Sequence, residues 1–410
     1  GHHYKGASFR GVIIPGAGQK VLGGVKKMEE KRRMLWNAFA HFCLTPVQKR
    51  GVLSYFDTVE NAMEAKDTEW KEVFALFGEK RLPLKEQERI LRVKHEDYEA
   101  LYHSLAEKGI RFVTEEETEF PEQLLPLYDA PKWLYYKGNL PKEPVLLAVV
   151  GARNCTPYGR EVAKELARQL TEQGVGIVSG LAYGVDGAAG ALRAGGATYG
   201  VLGCGADICY PAANKELYDA MCGGRGGVLS EYPPGTGPLS WLFPQRNRII
   251  AGLSHGVLVT EAKKRSGTLI TVSLGLEYGK NIYAVPGRIT DVVSEGCNYL
   301  IKEGAKPVVC ARDILEDFEE KLQGKGAEKT SKKCRNYENF KNILASEEKI
   351  VYASLRLMPK HIEEIQQETK LAPKVLAHAL MSLCERGYIK RYGQAQYALT
   401  GDNQGFLSER

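Results

Sequence analysis

The sequence predicts an α/β protein: an extended Rossmann-like, doubly wound, mostly parallel sheet, with a small helical domain before it and a winged-helix-like domain after it. Three observations carry this expectation. From Val145 onward, short apolar runs alternate with glycine turns and helical stretches; residues 28–103 show helical periodicity and no strand-like run; and residues 341–399 read as three short helices followed by a hairpin. Strand, turn and helix in strict alternation imply parallel strands covered by helices on both faces.

Taken in order, residues 1–27 are glycine-rich and patternless and read as a disordered extension ahead of the folded chain. In residues 28–103, Leu35, Ala38, Phe39 and Phe42 are spaced to form one apolar helix stripe. Residues 104–323 form the sheet domain, with strands expected at 110–113, 145–150, 176–179, 198–202, 228–232, 256–261 and 281–285. Residues 324–340 read as a linker, polar and basic through GKGAEKTSKKCRN. The segment 341–399 carries nine Lys and Arg against six Glu, and 400–410 is a tail.

Composition narrows the function classes. A chain of 410 residues with 43% hydrophobic residues is long enough for several cored domains. The net charge of +6 is too mild to announce a polyanionic partner, so the placement of charge decides. No apolar run approaches the ~20 residues of a membrane span. Nine scattered cysteines without a C-x-x-C pair fit a reducing cytoplasm, and the Cys204/Cys209 spacing matches no common zinc motif, so no metal is expected.

Small residues follow nearly every strand: Gly151 after Val150, Ser179 and Gly180 after Val178, Gly203 and Gly205 after Leu202, and Ser266, Gly267 and Thr268 in the loop beyond Glu261. Such turns let backbone N–H groups approach an anion, so together they predict a phosphate-binding rim; helix packing alone also demands small residues there. Neither G-x-G-x-x-G nor G-x-x-x-x-G-K-[ST] occurs, which removes the usual marks of dinucleotide binding and of P-loop hydrolysis, and no cofactor is expected.

The stretch 241–268, WLFPQRNRIIAGLSHGVLVTEAKKRSGT, sets five cations (Arg246, Arg248, Lys263, Lys264, Arg265) against the single acid Glu261, with Trp241 and Phe243 just upstream. Cations that track a backbone beside rings that stack bases are the ingredients of a single-strand groove; a solvated basic loop and a core Phe243 are the plainer readings. Asp186, Glu231 and Glu261 stand at strand ends, where a carboxylate is more often an arginine's partner than an acid–base catalyst, and isolated His255 reads as structural. No catalytic constellation is expected.

In order and spacing, GARNCTPYG, SGLAYGVDGAA, VLGCGADICYPAAN, LSEYPPGT, FPQRNRIIAGLS, VTEAKKRSGTLIT, YAVPGRI and GCNYLIKEGAKPV resemble the family of DNA-processing protein A (DprA, or Smf) over residues 132–309. The resemblance implies a Rossmann domain that binds single-stranded DNA in a basic pocket, forms a homodimer and loads the RecA recombinase onto DNA in natural transformation. Carried over by motif, Arg153 and Lys263 or Lys264 hold phosphates, Phe243, Arg246 and Arg248 fall in the FPQRNR segment, Asn247 is a polar contact, and Ser266 and Gly267 complete the second loop. One departure is Gly190, where the family usually has histidine.

Two other classes compete. A nucleotide-processing phosphoribohydrolase of the lysine-decarboxylase-like type shares the sheet layout, but its G-G-G-x-G-T loop is KKRSGT here. A duplex-binding transcription factor needs a strongly basic third helix in the C-terminal domain, and residues 373–386 offer only Lys374 and Arg386.

Overall fold

The computed structural model describes residues 17–186, 196–323, 346–355, 359–393 and 395–399. The chain divides into two compact units, 1–108 and 109–410.

Among its described residues the first unit has only helices: α1 (Ala17–Ala40), α2 (Pro46–Phe56), α3 (Val59–Glu64), α4 (Asp67–Phe77), α5 (Leu84–Lys94) and α6 (Tyr98–Glu107). The expected stripe of Leu35, Ala38, Phe39 and Phe42 is buried. Its centre is Trp70, packed against Phe42, Phe56 and Phe74 and donating its indole N–H to the Ala62 carbonyl at 2.8 Å. Thr45 opens α2 with a reciprocal cap, since its backbone N–H reaches Gln48 Oε1 at 2.9 Å and its hydroxyl accepts from the Gln48 N–H at 3.3 Å.

Two boundaries differ from the sequence expectation. Helix α1 begins at Ala17, ahead of Met28; Gly18, Gly23 and Gly24 lower helix propensity without forbidding a helix that continues from a packed half. Helix α6 runs to Glu107, past residue 103, which carries the first unit to Lys108. Residues 1–16, the whole of the expected linker and the 400–410 tail lie outside the described residues, as does Gly190.

The second unit is built on nine strands: β1 (Arg111–Thr114), β2 (Trp133–Gly138), β3 (Val145–Val150), β4 (Val175–Ser179), β5 (Thr198–Val201), β6 (Gly227–Ser230), β7 (Gly256–Val259), β8 (Asn281–Ala284) and β9 (Lys306–Pro307). Their order is β1-β2-β6-β5-β4-β3-β7-β8-β9. From β6 to β9 every neighbouring pair is parallel. The sequence reading missed β2, which joins β1 and β6 antiparallel at one edge. The doubly wound, mostly parallel α/β class holds.

β3 shows why the sheet is read so easily. Its six residues VLLAVV are all buried. Leu146, Ala148 and Val150 pack into the core on one face, Val145, Leu147 and Val149 into the core on the other. A continuous apolar run is what a strand covered on both faces requires. The helices of this domain are α7 (Pro157–Glu172), α8 (Lys215–Gly223), α9 (Leu242–Leu253), α10 (Thr268–Glu277), α11 (Glu295–Lys302), α12 (Arg312–Leu315) and α13 (Glu319–Gln323). His255 serves the sheet, as expected: its Nδ1 accepts from the Leu146 N–H at 3.1 Å, and burial holds its pKa down at about 4, so the ring stays neutral.

Beyond the sheet lie α14 (Ser346–Ser354), α15 (Ile362–Thr369), α16 (Pro373–Glu385) and a separate sheet of β10 (Lys360–His361), β11 (Ile389–Tyr392) and β12 (Gln396–Leu399), in the order β10-β12-β11. Val351, Leu355, Ile365, Leu376, Leu380, Leu383, Ile389 and Leu399 form their common core. The three helices and the hairpin match the sequence expectation; β10 adds a third strand.

Candidate nucleic-acid interface

Leaving β3, the chain moves to β4 on one side, and later to β7 on the other. This reversal is the switch point outside which doubly wound sheets bind ligands. The loops after β3, β4, β5 and β7 meet there and hold Arg153, Lys263, Lys264 and most of the small residues singled out in the sequence, while Phe243, Arg246, Asn247 and Arg248 stand on α9.

The β3 loop is locked to the β7 loop. The Ala152 N–H donates to the Glu261 carbonyl at 2.7 Å, and a Cβ on Gly151 would stand 2.6 Å from Val185. The Glu261 carboxylate accepts from the Thr156 N–H at 2.8 Å and from its hydroxyl at 2.6 Å, at the N-terminus of α7. There it faces Gly159, whose missing side chain leaves the necessary room. A carboxylate at that end is favoured by the helix dipole, so the chain's own acid fills the anion position of α7. Gly151 is therefore explained by packing.

The β4 and β5 loops are tied together from beneath. Arg246 of α9 donates to the carbonyls of Gly180, at 2.8 Å, and Val201. A Cβ on Gly180 would lie 2.6 Å from its guanidinium. The Gly180 N–H donates to Asp186 at 3.0 Å, and the Ser179 hydroxyl accepts from the Leu181 N–H at 3.3 Å. Burial pushes the Asp186 carboxyl up, and Arg246 and the Gly180 N–H counter part of that push. Asn247 steadies the same arginine, its Oδ1 accepting from Nε at 3.3 Å.

Arg248 is likewise committed. It is 6% exposed and meets Glu231, 9% exposed, with Nη2 and Oε2 2.5 Å apart. Arg246 and Arg248, expected to face a ligand, are thus both buried and engaged within the protein. On α9, Leu242, Arg246, Ile249, Ile250 and Leu253 share one buried helix face, so Arg246 points inward with the apolar side chains. Arg248 turns toward the end of β6 instead.

What remains at the surface falls into two groups. In the first, a Cβ on Gly203 would lie 2.7 Å from the Phe243 ring, so this glycine seats the phenyl group. That ring stacks on Tyr210, with centroids 5.5 Å apart and planes 30° apart, and the exposed Arg153 guanidinium stands 5.9 Å from its centroid. Phe243 is only part buried and Tyr210 is 44% exposed, so this aromatic pair meets solvent. Gly205 is spent on the loop, its N–H bound to the Thr236 carbonyl at 2.8 Å.

The second group is the loop after β7. Lys263, Lys264 and Arg265 are exposed. The Ser266 hydroxyl is buried without a hydrogen-bond partner among the described residues, the space beside Gly267 is open, and Thr268 starts α10 with no acid in its first turn. Among the described residues, no carboxylate lies within ion-pair distance of Arg153, Lys263, Lys264 or Arg265. Sequence reasoning missed Tyr210 and Tyr299. Tyr210 was legible as an aromatic directly before Pro211 in a strand-end loop; Tyr299 sits mid-helix in GCNYLIK, where only the fold reveals its neighbour. Among the described residues no cluster of His, Cys, Asp and Glu could hold a metal, and no helix is long and apolar enough to cross a membrane.

Fold and strand-end geometry together define a Rossmann-type α/β protein whose ligand edge is basic and aromatic. The family described as DNA recombination-mediator protein A matches residues 111–319, and the chain belongs to that family. DNA processing protein DprA of Streptococcus pneumoniae is 50% identical over 204 residues, covering 49% of this chain and 71% of that protein. DprA of Bacillus subtilis is 41% identical over 219 residues, covering 52% and 73% respectively. The X-ray structure of the Streptococcus pneumoniae protein is similar at a TM-score of 0.56 and 38% identity, covering 69% of this chain and 95% of that one.

Proposed function

We propose that this protein binds single-stranded DNA along the strand-end edge of its sheet and passes it to the RecA recombinase, acting in DNA uptake, natural transformation and recombination without catalytic turnover. The observation that carries the reading is the pairing of solvent-facing rings, Phe243 and Tyr210, with Arg153, Lys263, Lys264 and Arg265, cations with no carboxylate at ion-pair distance among the described residues. Phosphates neutralise such cations and bases stack on such rings. Arg246, Asn247 and Arg248 support the edge from beneath, as do Gly151, Ser179, Gly180, Gly203 and Gly205, while Ser266, Gly267 and Thr268 offer the open helix start.

Against the nucleotide-enzyme alternative, the three strand-end carboxylates are occupied: Asp186 with Gly180 and Arg246, Glu231 with Arg248, and Glu261 with Thr156. We further propose that the protein works in the cytoplasm as a homodimer, without metal or cofactor. The helical residues up to 108, the sheet residues 109–323 and residues 341–399 act as separate domains, the last a winged helix.

The test is salt dependence. Replacing Arg153 or Lys263 with Ala is expected to weaken binding of an oligothymidylate and to flatten the slope of log K against log salt by about 0.7, the single-strand coefficient for one phosphate. Slopes equal to the parent's in both variants would mean that neither cation meets a phosphate. Release of free base from nucleoside monophosphates would favour the enzyme reading instead.

A further inference from the structure

The loop after β7 carries a second cation–ring pair. Lys264 Nζ stands 5.6 Å from the centroid of the Tyr299 ring, and Tyr299 is 42% exposed. Its position is built in. The Gly296 N–H donates to the Ala262 carbonyl at 2.8 Å, and a Cβ on Gly296 would lie 2.6 Å from that oxygen and 2.9 Å from the Lys263 carbonyl. The first turn of α11 is therefore pressed against the backbone from which Lys264 springs. Cys297 and Leu300 turn down into the core, while Asn298 brackets Gly287, accepting from its N–H at 3.1 Å and donating to its carbonyl at 3.0 Å. Tyr299 lies three residues beyond Gly296 and shares its helix face, so the ring is held beside the loop.

The register relates this pair to the first one. Val150 of β3 pairs with Val259 of β7, and the Ala152 N–H binds the Glu261 carbonyl, so the loops carrying Arg153 and Lys264 leave adjacent strands at the same edge. Arg153 leads to Phe243 and Tyr210 over the ends of β4 and β5, whereas Lys264 leads to Tyr299 on the other side of the switch point.

We infer that Tyr299, held beside Lys264, is a second base-stacking platform, so that a single strand crosses the switch point between two stacking stations. The inference rests on the proposed single-strand site. A ring next to cations that lack acidic partners suits a nucleobase whose flanking phosphates those cations neutralise.

The experiment compares the full chain with Tyr299→Leu, Tyr299→Phe and Phe243→Ala, each checked for parental folding by circular dichroism. Anisotropy is read with labelled oligothymidylates of about 4 and about 16 nucleotides, lengths that bracket one and both stations. Tyr299→Leu is expected to weaken the longer ligand about tenfold, at the lower end of one lost base stack, while leaving the shorter ligand and the salt slope as in the parent. Tyr299→Phe is expected to bind both as the parent does. Parental affinity of Tyr299→Leu for the longer ligand, with Phe243→Ala weakened on both, would overturn the second platform alone. Parental affinity in both variants would overturn stacking at either station, and parental salt slopes in Arg153→Ala and Lys263→Ala besides would overturn the single-strand site on which it rests.

Discussion

Glu231→Ala is expected to cost about 3–5 kcal/mol of folding stability, the scale for removing one partner of a buried ion pair. Arg248 and Glu231 are both buried and in direct contact, and the backbone carbonyl of Glu231 also accepts the Trp133 indole N–H at 2.9 Å. Alanine leaves that backbone bond possible, but strands a guanidinium away from water. Urea unfolding of parent and variant at neutral pH reads the loss. The double variant Glu231→Leu with Arg248→Met is expected to recover most of it, because an apolar pair removes the uncompensated charge. A loss below about 1 kcal/mol in the single variant would put this pair in the class of solvent-screened surface bridges.

Phe243→Ala is expected to weaken single-stranded DNA binding by about 1–3 kcal/mol, with no change in the salt slope. The ring carries no charge, yet it lies against Gly203, Tyr210 and Arg153 at once. Truncation therefore removes a stacking surface and the neighbour of another. Parental affinity in a folded Phe243→Ala protein would reduce this residue to packing.

The fold was legible because its central strands must be apolar on both faces, and VLLAVV at 145–150 has no other comfortable place. β2 was harder to read: Trp133, Leu134, Tyr135 and Tyr136 are consecutive and buried, but a short apolar run does not say whether it pairs. At the site the cations were legible in number, but not which of them are buried: Arg246 and Arg248 are, whereas Arg153, Lys263 and Lys264 are exposed. Arg246 follows Leu242 by four residues and precedes Ile249 and Ile250 by three and four, so helix phase already placed it on the apolar face. The sequence shows glycines at the strand ends but not what they adjoin: Gly151 and Gly203 make room for Val185 and Phe243, neighbours distant in sequence. Tyr299 became visible only when Gly296 brought α11 against the β7 loop.

The central claim is that this edge takes a single strand rather than a duplex. Among the described residues the exposed groups of this edge are cations and ring faces, none of them set on a groove-reading helix, and α9 buries both of its arginines. The most direct measurement is equilibrium competition, in which a labelled single-stranded oligonucleotide bound to the full-length protein is displaced by unlabelled single strand or by duplex of the same sequence at two salt concentrations. The account predicts that the single strand displaces the label at lower concentration than the duplex at both salts. Displacement by the duplex at an equal or lower concentration would contradict it.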